Sequence, residues 1–252
     1  MQIAITRKVS PDISRCELTY LERVEIDYDL ASRQHAAYCA ALADLGCQVI
    51  PLPAEANLPD SVFVEDVALV LDEIAILTRP GAASRRPEVE LIRPALEPYR
   101  MLARLEAPAT LDGGDVLRLG REIFVGLSGR SNPEGIAMLA DLVAPYGYSV
   151  GGVPLTGCLH LKSAVTQAAP DLLLANSHWV DPAQFASWRC LEIDPSEPPA
   201  ANILMLEGGA IYPAGFPRTQ ARLEKAGVRV TPVDVSELQK AEGAVTCCSL
   251  VL

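Results

Sequence analysis

Apolar residues in this chain gather in short runs. "EIAILTRP", "EIFVGL", "DLLLAN" and "NILMLEGGAIYP" are rich in Val, Ile and Leu and bounded by Gly, Pro, Asn or Asp, which is the pattern of strands. "MQIAIT", "CQVIPL", "SVFVEDVALVL", "DVLRLG", "YSVGGVPL", "HLKSAVTQ", "RVTPVDV" and "AVTCCSLVL" read the same way. Between them "ASRQHAAYCAALADLG", "RPEVELIRPALEPYR", "NPEGIAMLADLVAPYG" and "FPRTQARLEKAG" carry helical patterns, two with a Gly stop. Strands alternating with helices predict an α/β protein.

The alternation has a period. The polar residues that open or interrupt the strands are Asp66, Asp112, His160, Asn202 and Cys247, roughly 42 to 48 residues apart, a spacing found in repeat architectures. "VFVEDVALVLDEIAILTRPG", "LDGGDVLRLGREIFVGLSGR" and "AANILMLEGGAIYPAGFPRT" share a cadence of strand, turn, strand, then helix. Five such units predict a closed, propeller-like ring, and the length suits one domain over residues 1–252. In a ring, equivalent positions meet on the axis. There they would bring together the Glu65 and Asp66 carboxylates, a third from Asp112, the His160 imidazole, the Asn202 amide and the Cys247 thiol.

Composition narrows the functional classes. Half of the 252 residues are apolar, enough for a sizeable core without covalent staples. No long uncharged apolar run reads as a membrane span, and "MQIAITRKVSPDIS" lacks the regions of a signal peptide, so the expected compartment is the cytoplasm. A formal charge of −11 without a Lys/Arg cluster argues against nucleic acid and against anionic membrane as partners. The seven cysteines are odd in number and lack CxxC spacing, which speaks against a disulfide framework and a structural zinc module. No GxxxxGK[ST] or GxGxxG follows a strand, so a phosphate-binding loop is not expected.

The adjacent pair Cys247 and Cys248 has four readings: buried packing, a disulfide remnant, half of a metal site, or a nucleophile. A thiol nucleophile needs an imidazole partner, and His160 stands at the equivalent position two units earlier. On an extended strand the two thiols would point to opposite faces, leaving one at the axis and one in the packing. Asp66 and Asp112 lie within apolar runs, where a carboxylate is unusual unless paired or functional. Arg85 and Arg86 in "TRPGAASRRPEVE" and Arg130 in "GLSGRSNPEG" occupy matched loops and suggest a carboxylate clamp, with Arg86 reading as the solvated member.

At these residues the chain resembles a known family. "LPDSVFVEDVALV", "TRPGAASRR", "LDGGDVL", "FVGLSGRSN", "LHLKS", "AAN" and "AVTCCS" are similar, in order and from about residue 5 to the end, to the dimethylarginine dimethylaminohydrolases of the guanidino-modifying (pentein) superfamily. The resemblance implies a five-bladed α/β propeller and hydrolysis of Nω,Nω-dimethyl-L-arginine and Nω-monomethyl-L-arginine to L-citrulline and an alkylamine, with no cofactor and no required metal. It implies Cys247 as nucleophile and His160 as general acid and base. Asp66 and Asp112, with Glu65 beside them, would grip the guanidinium, and Arg85 and Arg130 the α-carboxylate. Asp60 and the Leu18 carbonyl would hold the α-amino group, and the Ala241 backbone would lie near the guanidinium. The implied partner is this small guanidino substrate alone, bound by a monomer or homodimer, and zinc captured by the His and thiolate would inhibit. "KAEGAVTC" departs from the family in having Glu242 where many members have Asp. Within the superfamily the alternative is an arginine deiminase, whose chains are typically longer. Outside the enzymes it is a noncatalytic binding protein of the same shape, which would not need these side chains together.

Overall fold

The apolar runs become fifteen short strands in a computed structural model that describes residues 1–252. The first complete unit shows the plan. Strand β3 (Ala68–Val70) turns back into β4 (Ile74–Leu77), helix α2 (Glu88–Leu96) crosses over, and β5 (Met101–Arg104) returns parallel to β4. The next unit repeats it with β6 (Val116–Leu119), β7 (Glu122–Leu127), α3 (Pro133–Val143) and β8 (Ser149–Pro154). The third has β9 (Val165–Ala169), β10 (Leu172–Ala175) and β11 (Arg189–Glu192), and a single 3-10 turn, Pro182–Phe185, replaces the crossover helix. The fourth has β12 (Leu204–Leu206), β13 (Gly209–Pro213), α5 (Pro217–Lys225) and β14 (Val230–Val233); α4 is a single turn, Leu161–Ala164, before β9.

The fifth sheet is made from both ends of the chain. Strand β1 (Ile3–Arg7) runs through α1 (Tyr28–Asp44) to the parallel β2 (Gln48–Leu52), and β15 (Leu250–Val251) pairs antiparallel with β1, Ala4 opposite Val251. Reciprocal bonds Ile3 N–H to Leu252 O at 3.0 Å and Leu252 N–H to Ile3 O at 2.8 Å extend this pairing. Helix α6 (Ser236–Gln239) precedes the closing segment.

Local chemistry accounts for the helices. Asp27 caps α1 by accepting from Leu30 N–H, and Asn132 caps α3 by accepting from Gly135 N–H, with Pro133 at the first helical position. Each such cap contributes about 1 kcal/mol. Strand "IAIL" is buried at every residue, because each sheet is covered on both faces.

Packing makes the ring. Five apolar clusters each join two neighbouring sheets: Leu69 and Ile76 meet Val116 and Val125, Leu117 and Val153 meet Val165 and Leu173, and so on round to Ile5 and Leu250 against Ala75 and Leu77. Apolar burial is worth about 1.5–3 kcal/mol per large side chain. Here it is spread over five interfaces, and the axis is left to polar groups. This is the five-bladed α/β propeller of ββαβ units that the period predicts. No helix is long and apolar enough to cross a membrane.

Three runs differ from the strand reading. Val64–Val67 is a 3-10 turn, Leu161–Ala164 is the one-turn α4, and Val245–Cys248 is a turn, so strand begins only at Ala68, Val165 and Leu250. Near the axis the chain must bend, and burial keeps its residues apolar and branched whether or not they are extended.

Candidate active site

These bends position the axial side chains. In the first, buried Val64 and Val67 anchor the turn, and Glu65 and Asp66 between them are also buried. Asp66 Oδ1 accepts Gly114 N–H at 3.0 Å, and its Oδ2 receives Arg85 Nη1 at 2.5 Å. Asp112, fully buried at the start of a further 3-10 turn, Gly113–Asp115, accepts Gly81 N–H at 2.9 Å on Oδ1 and faces His160 Nε2 at 3.0 Å with Oδ2. Gly114 permits this approach: a Cβ there would lie 2.6 Å from His160 Nδ1 and 2.8 Å from Asp66 Oδ1.

His160 is thus held between two carboxylates, Asp112 on Nε2 and Asp66 Oδ1 at 3.9 Å from Nδ1. Burial alone would drive its pKa down, but Asp66, the Asp112 hydrogen bond and Asp115 outweigh burial and raise it to about 9. The imidazole therefore carries a proton at neutral pH. Asp66 responds in the opposite sense: burial pushes it up, but the His160 and Arg85 charges prevail and lower it. Asp115 is itself pinned by Ser128 and Ser131 hydroxyls at 2.5 and 2.6 Å and accepts Leu161 N–H at 3.1 Å, which fixes the turn that carries His160.

Cys247 lies at the edge of the same space, 9% exposed, in the turn before β15. Burial, then the Glu65 and Asp66 charges, push its thiol well above the ordinary range, so with no ligand bound it is a neutral S–H. Cys248 is fully buried, its Sγ 3.4 Å from Ala244 O. Cys247 lines the cavity and Cys248 does not, but both are in the turn, so strand alternation is not what distinguishes them.

Glu65 faces the other way. Its Oε1 meets Lys162 Nζ at 2.5 Å and its Oε2 accepts from Thr246 Oγ1 at 2.8 Å. Asn202 ties these together, donating to Lys162 O at 2.9 Å and Thr246 Oγ1 at 3.0 Å and accepting Thr246 N–H at 3.1 Å. Lys162 and Thr246 are absent from the set expected from sequence, although "LHLKS" and "AVTC" contain them.

The arginines divide. Arg85 is buried and committed: besides Asp66 it donates to Glu88 (Nη2 to Oε2, 2.8 Å) and to the carbonyls of Asp60 and Phe63 at 3.2 and 3.0 Å. Arg130 is freer, with Nη1 3.6 Å from Asp112 Oδ2 and Nη2 on Thr19 Oγ1 at 3.1 Å. Both line a narrow cavity of about 20 Å³, together with Asp60, Asp66, His160, Ala241 and Cys247. Leu18 is not in the lining; it packs against the apolar cluster of α1 and the closing turn, and its neighbour Glu17 reaches the cavity instead. Phe63, Leu159, Glu242 and Gly243 complete the walls. Asp66, Asp112 and His160 each offer a donor atom within 4.8 Å of the others, geometrically sufficient for a cation, although the protonated imidazole opposes one.

A thiol, an imidazolium and two carboxylates in one closed space can attack, protonate a leaving amine and neutralise a cation. Comparison with known proteins agrees. No protein-family model matches the sequence. The chain is 38% identical over 226 residues to the N(G),N(G)-dimethylarginine dimethylaminohydrolase of Pseudomonas aeruginosa, covering 89% of each. It is 37% identical over 258 residues to the enzyme of the same name from Streptomyces coelicolor, covering 99% of this chain and 96% of that one. The solved structure of a cysteine-to-serine mutant of the P. aeruginosa protein, complexed with citrulline, superposes with a TM-score of 0.95, at 35% identity over 99% of this chain and 98% of that one. The chain belongs to the dimethylarginine dimethylaminohydrolase family.

Proposed function

We infer that this protein hydrolyses Nω,Nω-dimethyl-L-arginine and Nω-monomethyl-L-arginine to L-citrulline and dimethylamine or methylamine. The observation that carries the reading is the Cys247 thiol and the doubly paired His160 imidazolium in one cavity. The relatives' shared name and the citrulline held by the P. aeruginosa structure support it.

In this mechanism the substrate's guanidinium is drawn between Asp66 and Asp112, with Arg130 and Arg85 toward its carboxylate and Asp60 toward its amino group. The Leu18 carbonyl and the Ala241 backbone complete the contacts once the loop rearranges. The arriving cation reverses the field that keeps Cys247 protonated, so the thiol loses its proton to solvent only when a substrate is there to attack. The thiolate adds to the guanidinium carbon and forms the C–S bond. His160 gives its proton to the alkylated nitrogen, the C–N bond breaks, the amine leaves, and a cationic thiouronium adduct remains. Neutral His160 then takes a proton from water, the hydroxide adds to the same carbon, and C–S cleavage releases citrulline. The proton shed by the product carbonyl restores the thiol. Asp112 holds the imidazole in line throughout, and the Lys162–Glu65–Thr246 network keeps the turn bearing Cys247 in place.

The test is citrulline formation from equal concentrations of dimethylarginine, monomethylarginine and arginine, with Cys247→Ser as the blank. The methylated substrates are expected to turn over with little from arginine, and the serine variant to bind citrulline without turnover. Preference for arginine, or substantial activity of the serine variant, overturns the reading.

A further inference from the structure

A cavity of about 20 Å³ holds roughly one water, far below the ~300 Å³ of a small-molecule site, so substrate does not fit it in this conformation. The irregular segment 17–21 reaches the cavity through Glu17, whose carboxylate also accepts from Ser84 Oγ at 2.5 Å, and its remaining contacts fall into two groups. Glu17 N–H donates to both oxygens of Asp60 at 3.2 and 3.1 Å, and Thr19 Oγ1 accepts from Arg130 Nη2 at 3.1 Å. Both partners are the groups assigned above to the amino-acid end of the substrate, so these contacts must be exchanged when substrate binds. The other group belongs to one side chain. Glu242 Oε1 accepts the N–H groups of Thr19, Tyr20 and Leu21 at 3.1, 2.5 and 2.7 Å, and Oε2 accepts Thr19 N–H at 3.0 Å.

We propose that Glu242 is the latch of this flap, a positioning residue whose carboxylate holds three successive backbone amides of segment 19–21 beside the cavity that contains Cys247 and His160. Three converging amides form an anion-binding nest, and ionised acceptors make the strongest such bonds. Beyond these the flap has only the Ser84–Glu17 hydrogen bond and Leu18 on a core cluster, while Tyr20 and Leu21 are exposed. Glu242 also takes a left-handed backbone, φ +58°, which residues other than Gly seldom adopt. That conformation is kept in the turn that leads to the nucleophile. Because this anchor need not be surrendered to substrate, it sets how far the flap is closed both before and after binding. The assignment rests on the functional reading above only in what the flap encloses.

Hydrogen exchange of the Thr19, Tyr20 and Leu21 amides in the substrate-free protein tests it, comparing wild type with Glu242→Gln, which keeps the shape, and Glu242→Gly, which relaxes the backbone. Exchange should accelerate by about tenfold or more in the Gly variant and by less in the Gln variant, with amides of β7 unchanged. Alkylation of Cys247 should quicken in parallel. KM for dimethylarginine should rise several-fold while kcat changes little, a split that a loss of folded protein would not produce. Unchanged exchange at residues 19–21 in the Gly variant overturns the latch. Absence of turnover in the wild type would overturn the functional reading instead, and the exchange result would stand.

Discussion

Replacing Asp112 by Asn removes a charge 3.0 Å from His160 Nε2 and leaves the side chain's shape. A hydrogen bond to an ionised group contributes about 1.5–3 kcal/mol, against about 1 kcal/mol between neutral groups, so the imidazolium loses about 0.5–2 kcal/mol of support. At 1.36 kcal/mol per tenfold change in proton affinity, that is about two- to thirtyfold. From about 9 in the wild type, His160 should then titrate at roughly 7.5–8.5 in Asp112→Asn, still above the ordinary imidazole because Asp66 and Asp115 remain. Since the protonated ring is the group that expels the amine, the basic limb of kcat/KM should move to lower pH by the same amount. Carbon-detected titration of labelled histidine, read beside citrulline production from about pH 6 to 10, measures both. An unchanged His160 titration would refute the electrostatic argument. A shifted titration with an unmoved basic limb would refute the assignment of His160 as the acid.

Two further substitutions probe the surroundings. Gly114→Ala should lower kcat by about a hundredfold or more, because the added methyl forces apart His160 and Asp66, while a thermal melt shows the ring still folded. His35 on α1 is buried with Nε2 unpartnered, and burial lowers its pKa from 6.5 to about 4. Its neutral form therefore supports the fold fully above the unfolded value and loses that support as pH falls from 6.5 toward 4. Urea titrations should show about 2–3 kcal/mol of acid-side destabilisation that is absent in His35→Leu.

Much of this was legible in the sequence, since the helices and the repeat spacing are local patterns, and a five-unit period has few geometric solutions. Asp66, Asp112, His160 and Cys247 stood out as polar side chains at matched positions in apolar runs. What stayed hidden is what depends on distance along the chain. Lys162 meets Glu65 across 97 residues, Thr246 meets it across 181, and Glu242 reaches Tyr20 across 222. No spacing rule announces such pairs. Arg85 looked like a loop arginine awaiting a ligand because Glu88, one helical turn on, read as part of a helix start and not as its counterion. The axial turns were mistaken for strands because Val64 and Val67 are buried for ring packing, and burial imposes the same residue types on either backbone.

The seam in the fifth sheet alters what the chain ends mean for this molecule. Terminal residues ordinarily fray at no cost to the rest of a protein. Here Leu250 and Val251 pair with β1 only three residues beyond Cys247, so that pairing holds one side of the turn that bears the thiol while Thr246 and Glu65 hold the other. Order at the extremities and order at the reacting sulfur are therefore linked. Loosening of Ile3–Ile5, on the far side of the sequence, would release β15 and with it one of the two supports of the nucleophile's turn.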